Sequence, residues 1–180
     1  MRERAARDAP HSALDTRHSV PPSVRPLRPE DAAAAHALLA SAVDGTPYGE
    51  SPLDALRAAL GGGSDEARGM VAVRAGEVVG VALYGDVAGT IGAGRVHAVA
   101  VAAGARRQGV GARLCAEVAA ALRARGSRVV VAELPDDDVV APLRALLTRA
   151  GFREESRVSD FYRDGVALVF LRLDLLPGTD

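Results

Sequence analysis

The sequence predicts an α/β chain with a mixed, mostly antiparallel sheet and helices on both faces. Three observations carry this. Apolar runs with strand character alternate along the chain with segments of helical period. Hairpin signals stand toward both ends, at Ala75-Gly76-Glu77 and at Arg163-Asp164-Gly165, with β–α units between them. At 180 residues and 48% hydrophobic composition, the chain is long enough for a full core.

The elements follow in order. Met1 to Ser23 is polar, of mixed charge, and holds Pro10, Pro21 and Pro22; it is expected as a flexible leader ahead of a single domain over residues 24–176. Val24 to Arg28 is a short strand, placed at an edge by Pro26. Pro29-Glu30-Asp31 opens a helix through Val43, since proline fits a first turn and acids favour its positive end. A second helix spans Ser51 to Leu60 and is stopped by Gly61-Gly62-Gly63. Met70 to Arg74 and Val78 to Tyr84 form a hairpin, followed by a glycine-rich loop from Gly85 to Gly94. Arg95 to Val101 is a strand. The helix after it, Gln108 to Arg125, carries Val110, Leu114, Val118 and Leu122 on one stripe and ends at Gly126. Arg128 to Leu134 is the most continuous apolar strand and is expected to be central and buried on both faces. Another helix runs to Arg149. Phe152 to Phe161 and Val166 to Leu173 close the chain as a hairpin.

Composition removes several functions. A net charge of −1 gives no electrostatic basis for a nucleic-acid or anionic-membrane partner. No run has the length of a transmembrane helix, and the N-terminus lacks the apolar core of a signal peptide. Glu3, Asp8 and Asp15 argue against a transit peptide. The single cysteine, Cys115, fits a reducing cytoplasm and, in mid-helix, a buried inert thiol. No Cys/His cluster has metal-ligand spacing, so no metal is expected. The chain has no lysine, asparagine or tryptophan, so all 22 of its basic residues are arginine.

The most informative stretch is Val96 to Leu114. A strand delivers the turn Gly104-Ala105-Arg106-Arg107-Gln108-Gly109-Val110-Gly111 to a helix N-terminus, which is an anion-binding device. A nucleoside-triphosphate loop is excluded: Val110-Gly111 stand where Lys-Ser/Thr is needed. The dinucleotide fingerprint fails as well, because Gly109-Val110-Gly111 is followed by Ala112-Arg113-Leu114.

Arg106-Arg107-Gln108-Gly109-Val110-Gly111 resembles the acyl-CoA pyrophosphate loop of the GNAT superfamily of N-acetyltransferases. The strand ending in Ala100-Val101, the segment Ala145 to Phe152 with its Gly-Phe end, and the hairpin around Asp160 to Gly165 are similar to that family too, as is the element order from Val24 to Leu173. The resemblance implies a GNAT-like fold and acetyl-CoA as co-substrate. Main-chain amides around Gln108, Gly109, Val110, Gly111 and Ala112 would hold the pyrophosphate. Arg106 and Arg107 would add charge, and main-chain groups of Val99 and Val101 would pair with pantetheine. It also implies transfer of acetyl to an amine, of a small molecule or a protein, by direct transfer in a ternary complex.

An alkylammonium is only about one part in a thousand neutral at pH 7, so a general base matters. The family often uses a glutamate on the strand after the loop helix. Glu133 stands there, with a strand-end carboxylate that reaches solvent or pairs with an arginine as its equal alternative. The family's tyrosine acid position is Leu147 here, and its asparagine is absent. Positioning can still carry the reaction, through effective molarities of about 10⁵–10⁸ M. Tyr162 is the candidate substitute acid, with a half-buried hairpin aromatic as the alternative. Tyr84 and His97 are further candidates, His97 on the face of Val99 and Val101 by period two. Asp136-Asp137-Asp138 either attract a cationic amine or cap the following helix. Beside the enzyme stand two other readings: a non-catalytic acyl-CoA-binding or sensing module, and a homodimer through the terminal hairpin, compatible with either.

Overall fold

The alternation in the sequence becomes one seven-stranded sheet in the computed structural model, which describes residues 21–62 and 65–176. The strands are β1 (Ser23–Pro26), β2 (Arg68–Arg74), β3 (Glu77–Asp86), β4 (Ala93–Val101), β5 (Val129–Pro135), β6 (Arg153–Arg163) and β7 (Val166–Asp174). The helices are α1 (Ala32–Val43), α2 (Glu50–Gly61), α3 (Val110–Ala124) and α4 (Ala141–Arg149). The sheet order is β1-β2-β3-β4-β5-β7-β6, and every neighbouring pair is antiparallel except β4 with β5. Residues 1–20 of the expected leader lie outside the described residues, and Ser23, its last residue, already belongs to β1.

Successive strand residues point to opposite faces. Val71, Val81, Leu83, Ala98 and Ala100 pack with Ala35 and Leu39 of α1 and Leu56 of α2. On the other face Ala72, Ala82, Val130, Ala132 and Val169 pack with Leu147 of α4 and the α3 stripe Val110, Leu114, Val118 and Leu122. That stripe is no more than 2% exposed at any position, as its spacing predicts. Helix α3 lies close to the sheet because Gly94 has no side chain: a Cβ there would stand 2.7 Å from Leu122 Cδ1.

Several boundaries differ from the sequence reading. The loop expected over Gly85 to Gly94 is shorter, because β3 continues through Asp86 and β4 begins at Ala93. The first helix opens with a 3₁₀ turn at Pro29–Asp31. Strand β5 is buried on both faces at Val130, Val131 and Ala132, but Glu133 reaches solvent. Every residue of β6 is exposed; it is the sheet edge beyond β7.

Two irregularities shape the centre of the sheet. Leu83 pairs with Ala98 but Tyr84 pairs with Val96, so His97 is the extra residue of a β-bulge. The bulge breaks the period-two reading of His97: Val96 belongs to the α3-side core before it, and Val99 and Val101 pack on that core after it. Strands β4 and β5 pair only at Ala93↔Val129, Gly94↔Val130 and Arg95↔Val131, and then part. The sheet is continuous at one end and open between these two strands at the other.

Candidate active site

The open end begins with backbone. Ala102 N–H donates to Val79 O at 3.0 Å, so Ala102 and Ala100 turn their main-chain groups toward β3. By antiparallel alternation Val99 and Val101 turn theirs away from β3, into the gap. The Val101 carbonyl already accepts a 3.1 Å hydrogen bond from Arg106 Nε. One lone pair of Val101 O is thus already used, which leaves the main chain of Val99 the freer of the two expected contacts.

The glycine-rich turn then builds an anion cradle. Arg107 and Gly109 both have positive φ, 60° and 79°, and Gly109 is the residue before α3. The bond that opens the helix runs from Arg113 N–H to Gly109 O at 3.0 Å. The N–H groups of Val110, Gly111 and Ala112 precede it and are the unsatisfied donors of a helix start. A Cβ at Gly109 would meet nothing within 4 Å, so the space above the turn is open. The Gln108 side chain points inward instead. Its amide donates to Gly104 O at 2.7 Å and its Oε1 accepts from the buried Arg74 at 2.5 Å, which fixes the turn to β2.

A cleft of about 760 Å³ runs along this surface. Val99, Val101, Arg106, Arg107, Gly109, Gly111 and Ala112 line it from the sheet, loop and α3 start, Leu143, Leu146 and Arg149 from α4, and Ser41 from α1. Arg149 is a third arginine that sequence reasoning missed, because a basic residue in a last helical turn also suits the helix dipole. Among the described residues, Arg106, Arg107 and Arg149 form no ion pair, whereas Arg25, Arg95, Arg125, Arg144 and Arg157 each pair with a carboxylate. An elongated ligand with an apolar stem and several negative charges fits this cleft. Three guanidinium groups without a carboxylate partner and a helix N-terminus would face its charges, and a free sheet edge its amides.

At the far side of the gap stands Glu133. Its Oε1 accepts from Arg95 Nη2 at 2.8 Å, and both side chains are 36% exposed. The ion pair expected as one alternative for Glu133 is present. Tyr162 projects from β6 toward the same region. Burial, and next the nearby Glu133 charge, push its phenol above the ordinary tyrosine value, so it remains a proton donor at neutral pH. Its ring meets Tyr48 edge-on at 5.6 Å and Phe161 edge-on at 5.2 Å.

The remaining candidates are structural. Leu147 is fully buried in the α3-side core, so no hydroxyl reaches the cleft from that position. Tyr84 is buried in the same core and stays out of the cleft. His97 Nε2 lies 2.8 Å from Glu66 O, and burial lowers its pKa, which keeps the ring neutral. Asp137 caps the 3₁₀ turn at Asp138–Val140 through Val139 N–H, 3.2 Å, and also accepts from Tyr48 Oη at 3.0 Å and Arg163 at 2.8 Å. Asp136 holds Arg144 and Arg157. No group of acids, histidines and cysteines suited to a metal ion occurs among the described residues.

Known proteins share this fold. The model of the acetyltransferase (GNAT) family matches residues 34–152. A protein from Desulfovibrio desulfuricans placed in the GNAT family of acetyltransferases superposes with a TM-score of 0.78 at 28% identity, over 86% of this chain and 99% of that one. A ribosomal-protein-alanine N-acetyltransferase from Brucella melitensis superposes with a TM-score of 0.67 at 26% identity, over 84% of this chain and 99% of that one. The structure of yncA from Salmonella typhimurium, solved with acetyl-CoA, shares the fold at 20% identity, with a TM-score of 0.72 over 89% and 98% of the two chains. No curated protein sequence matches the chain.

Proposed function

The chain belongs to the acetyltransferase (GNAT) family, and on that premise we propose that it is an N-acetyltransferase moving acetyl from acetyl-CoA to an amine within a ternary complex. The carrying observation is the gap between β4 and β5 opening beside the α3 N-terminus. The main chain of Val99 and Val101 would pair with pantetheine. The amides of Gln108, Gly109, Val110, Gly111 and Ala112, with Arg106, Arg107 and Arg149, would hold the pyrophosphate.

Glu133 is proposed as the base and Tyr162 as the acid. The amine nitrogen attacks the thioester carbonyl carbon, the C–N bond forms and the C–S bond breaks. The amine proton passes to Glu133, directly or through one water, and the leaving thiolate takes a proton from Tyr162 or solvent. No metal takes part in this scheme. Residues 24–176 would form one domain. The single buried thiol and the need for acetyl-CoA support a cytoplasmic setting, with no role for nucleic acid or membrane; no helix among the described residues is long and apolar enough to cross a membrane.

The test is CoA-thiol release against a panel of amines. Release above background with at least one amine is expected. Binding of CoA with no amine-dependent release would favour the second reading, a non-catalytic acyl-CoA-binding module. That reading draws its support from Leu147, whose burial leaves the cleft without the family's hydroxyl. A homodimer through the exposed β6 remains compatible with either, and sedimentation at high concentration tests it.

A further inference from the structure

The face of the gap away from the CoA cleft has its own composition. The whole chain has three tyrosines, three phenylalanines and no tryptophan. Three of these six rings, Tyr48, Phe161 and Tyr162, gather beside Glu133, joined edge to face at 5.6 and 5.2 Å. They come from two separate segments. Tyr48 lies between α1 and α2 and is anchored through Asp137. Phe161 and Tyr162 lie where β6 leaves its ladder, between Val158 and Arg163. Asp160 there has φ of 53° and its Oδ1 accepts from Gly165 N–H at 2.7 Å, which holds the irregular segment in shape. Phe161 is 58% exposed and Tyr162 39% exposed, so the rings form an open apolar surface rather than core.

Three carboxylates near this surface are already paired: Glu133 with Arg95, Asp137 with Arg163, and Asp136 with Arg144 and Arg157. Among the described residues Asp138, Asp160 and Asp164 form no ion pair, and Asp160 Oδ1 takes the Gly165 N–H. The carboxylate nearest the Tyr162 ring electrostatically is that of Glu133.

We infer that the acceptor carries its amino group next to an aromatic or bulky apolar substituent, with the substituent against Tyr48, Phe161 and Tyr162 and the amine toward Glu133. This rests on the acetyltransferase reading above. Ring faces favour both an apolar partner and an ammonium before it loses its proton.

Steady-state CoA release with 2-phenylethylamine, n-propylamine, spermidine and kanamycin tests it. The expected kcat/KM for 2-phenylethylamine exceeds each of the other three by at least about tenfold. Phe161→Ala and Tyr48→Phe separate two effects. Loss of the exposed ring should raise KM for 2-phenylethylamine about tenfold, with the loss in KM rather than kcat. Phe161→Leu should recover part of it, and Tyr48→Phe, which keeps the ring, should change KM less than Phe161→Ala. Ile91→Ala, in the exposed β3–β4 loop, is the unaffected control. Spermidine or kanamycin as the better acceptor, or unaltered KM in Phe161→Ala, overturns this inference while leaving acetyl transfer standing. Absence of CoA release with every amine overturns both.

Discussion

Glu133 Oε1 takes a 2.8 Å hydrogen bond from Arg95 Nη2 just past the last residue pair that β4 and β5 share. Arg95 therefore aims the carboxylate across the gap. With both groups 36% exposed, the pair contributes on the order of 0–1 kcal/mol to folding. Glu133→Gln should lower kcat/KM for amine acetylation by about 10²-fold or more, with CoA affinity held within about twofold. Arg95→Met should lower kcat while moving Tm by little. Stopped-assay kinetics beside calorimetric CoA titration separate these outcomes; a Glu133→Gln variant with undiminished kcat removes Glu133 from the base role.

Gly104 and Gly109 of the turn are not equivalent. Gly109 sits at φ 79°, whereas Gly104 has an ordinary φ and open space around it. Gly109→Ala should cost about 1 kcal/mol of stability and weaken CoA binding at least about tenfold, since its methyl group enters the anion's approach. Gly104→Ala should change neither by much. Titration of CoA into each variant, with thermal melts, provides the comparison.

Asp31 is a buried carboxylate that sequence inspection treats as an ordinary first-turn acid. It accepts from Arg25 at 2.6 and 2.8 Å and from Arg28 N–H at 2.9 Å. The Arg25 guanidinium holds its pKa below the ordinary value. The folded value is depressed, so this contribution is fully present above the unfolded pKa of about 3.9 and is lost as pH falls through the folded value. Asp31→Ala should cost about 1–2 kcal/mol near neutral pH, and the gap to the parent should narrow below about pH 4. Urea unfolding at pH 7 and pH 3 checks the sign.

Cys115 is 6% exposed in α3, and burial pushes its thiol up to about 11. At pH 8 only about one part in a thousand is thiolate. Ellman's reagent should leave the native protein unlabelled over the course of an assay and react with one thiol per chain in guanidinium. Rapid native labelling would contradict the burial.

Periodicity made the core legible: the α3 stripe and the strand runs carry their faces in their spacing. The glycine-rich turn was legible because it is local, and the fold then only has to present it. What the sequence hid is non-local. Arg149 joins Arg106 and Arg107 only because α4 crosses beside the α3 N-terminus. Tyr48 meets Tyr162 only because the α1–α2 connection and the last hairpin converge. The alternation rule failed at His97, where a bulge inserts one residue, and no residue type there announces it. For Glu133 the sequence offered base or ion pair as alternatives, and the structure places the ion pair where the base is proposed.

The parting of β4 from β5 leaves peptide groups of Val99 directed at solvent in the middle of a well-packed sheet. In a complete ladder such an amide proton would be among the slowest to exchange. Here it should exchange with deuterium on the timescale of a loop, and saturation with CoA should slow it toward that of its neighbour Ala100, which faces β3. A single amide, followed by mass spectrometry of overlapping peptides or by NMR, would then report occupancy of the gap with no acceptor present.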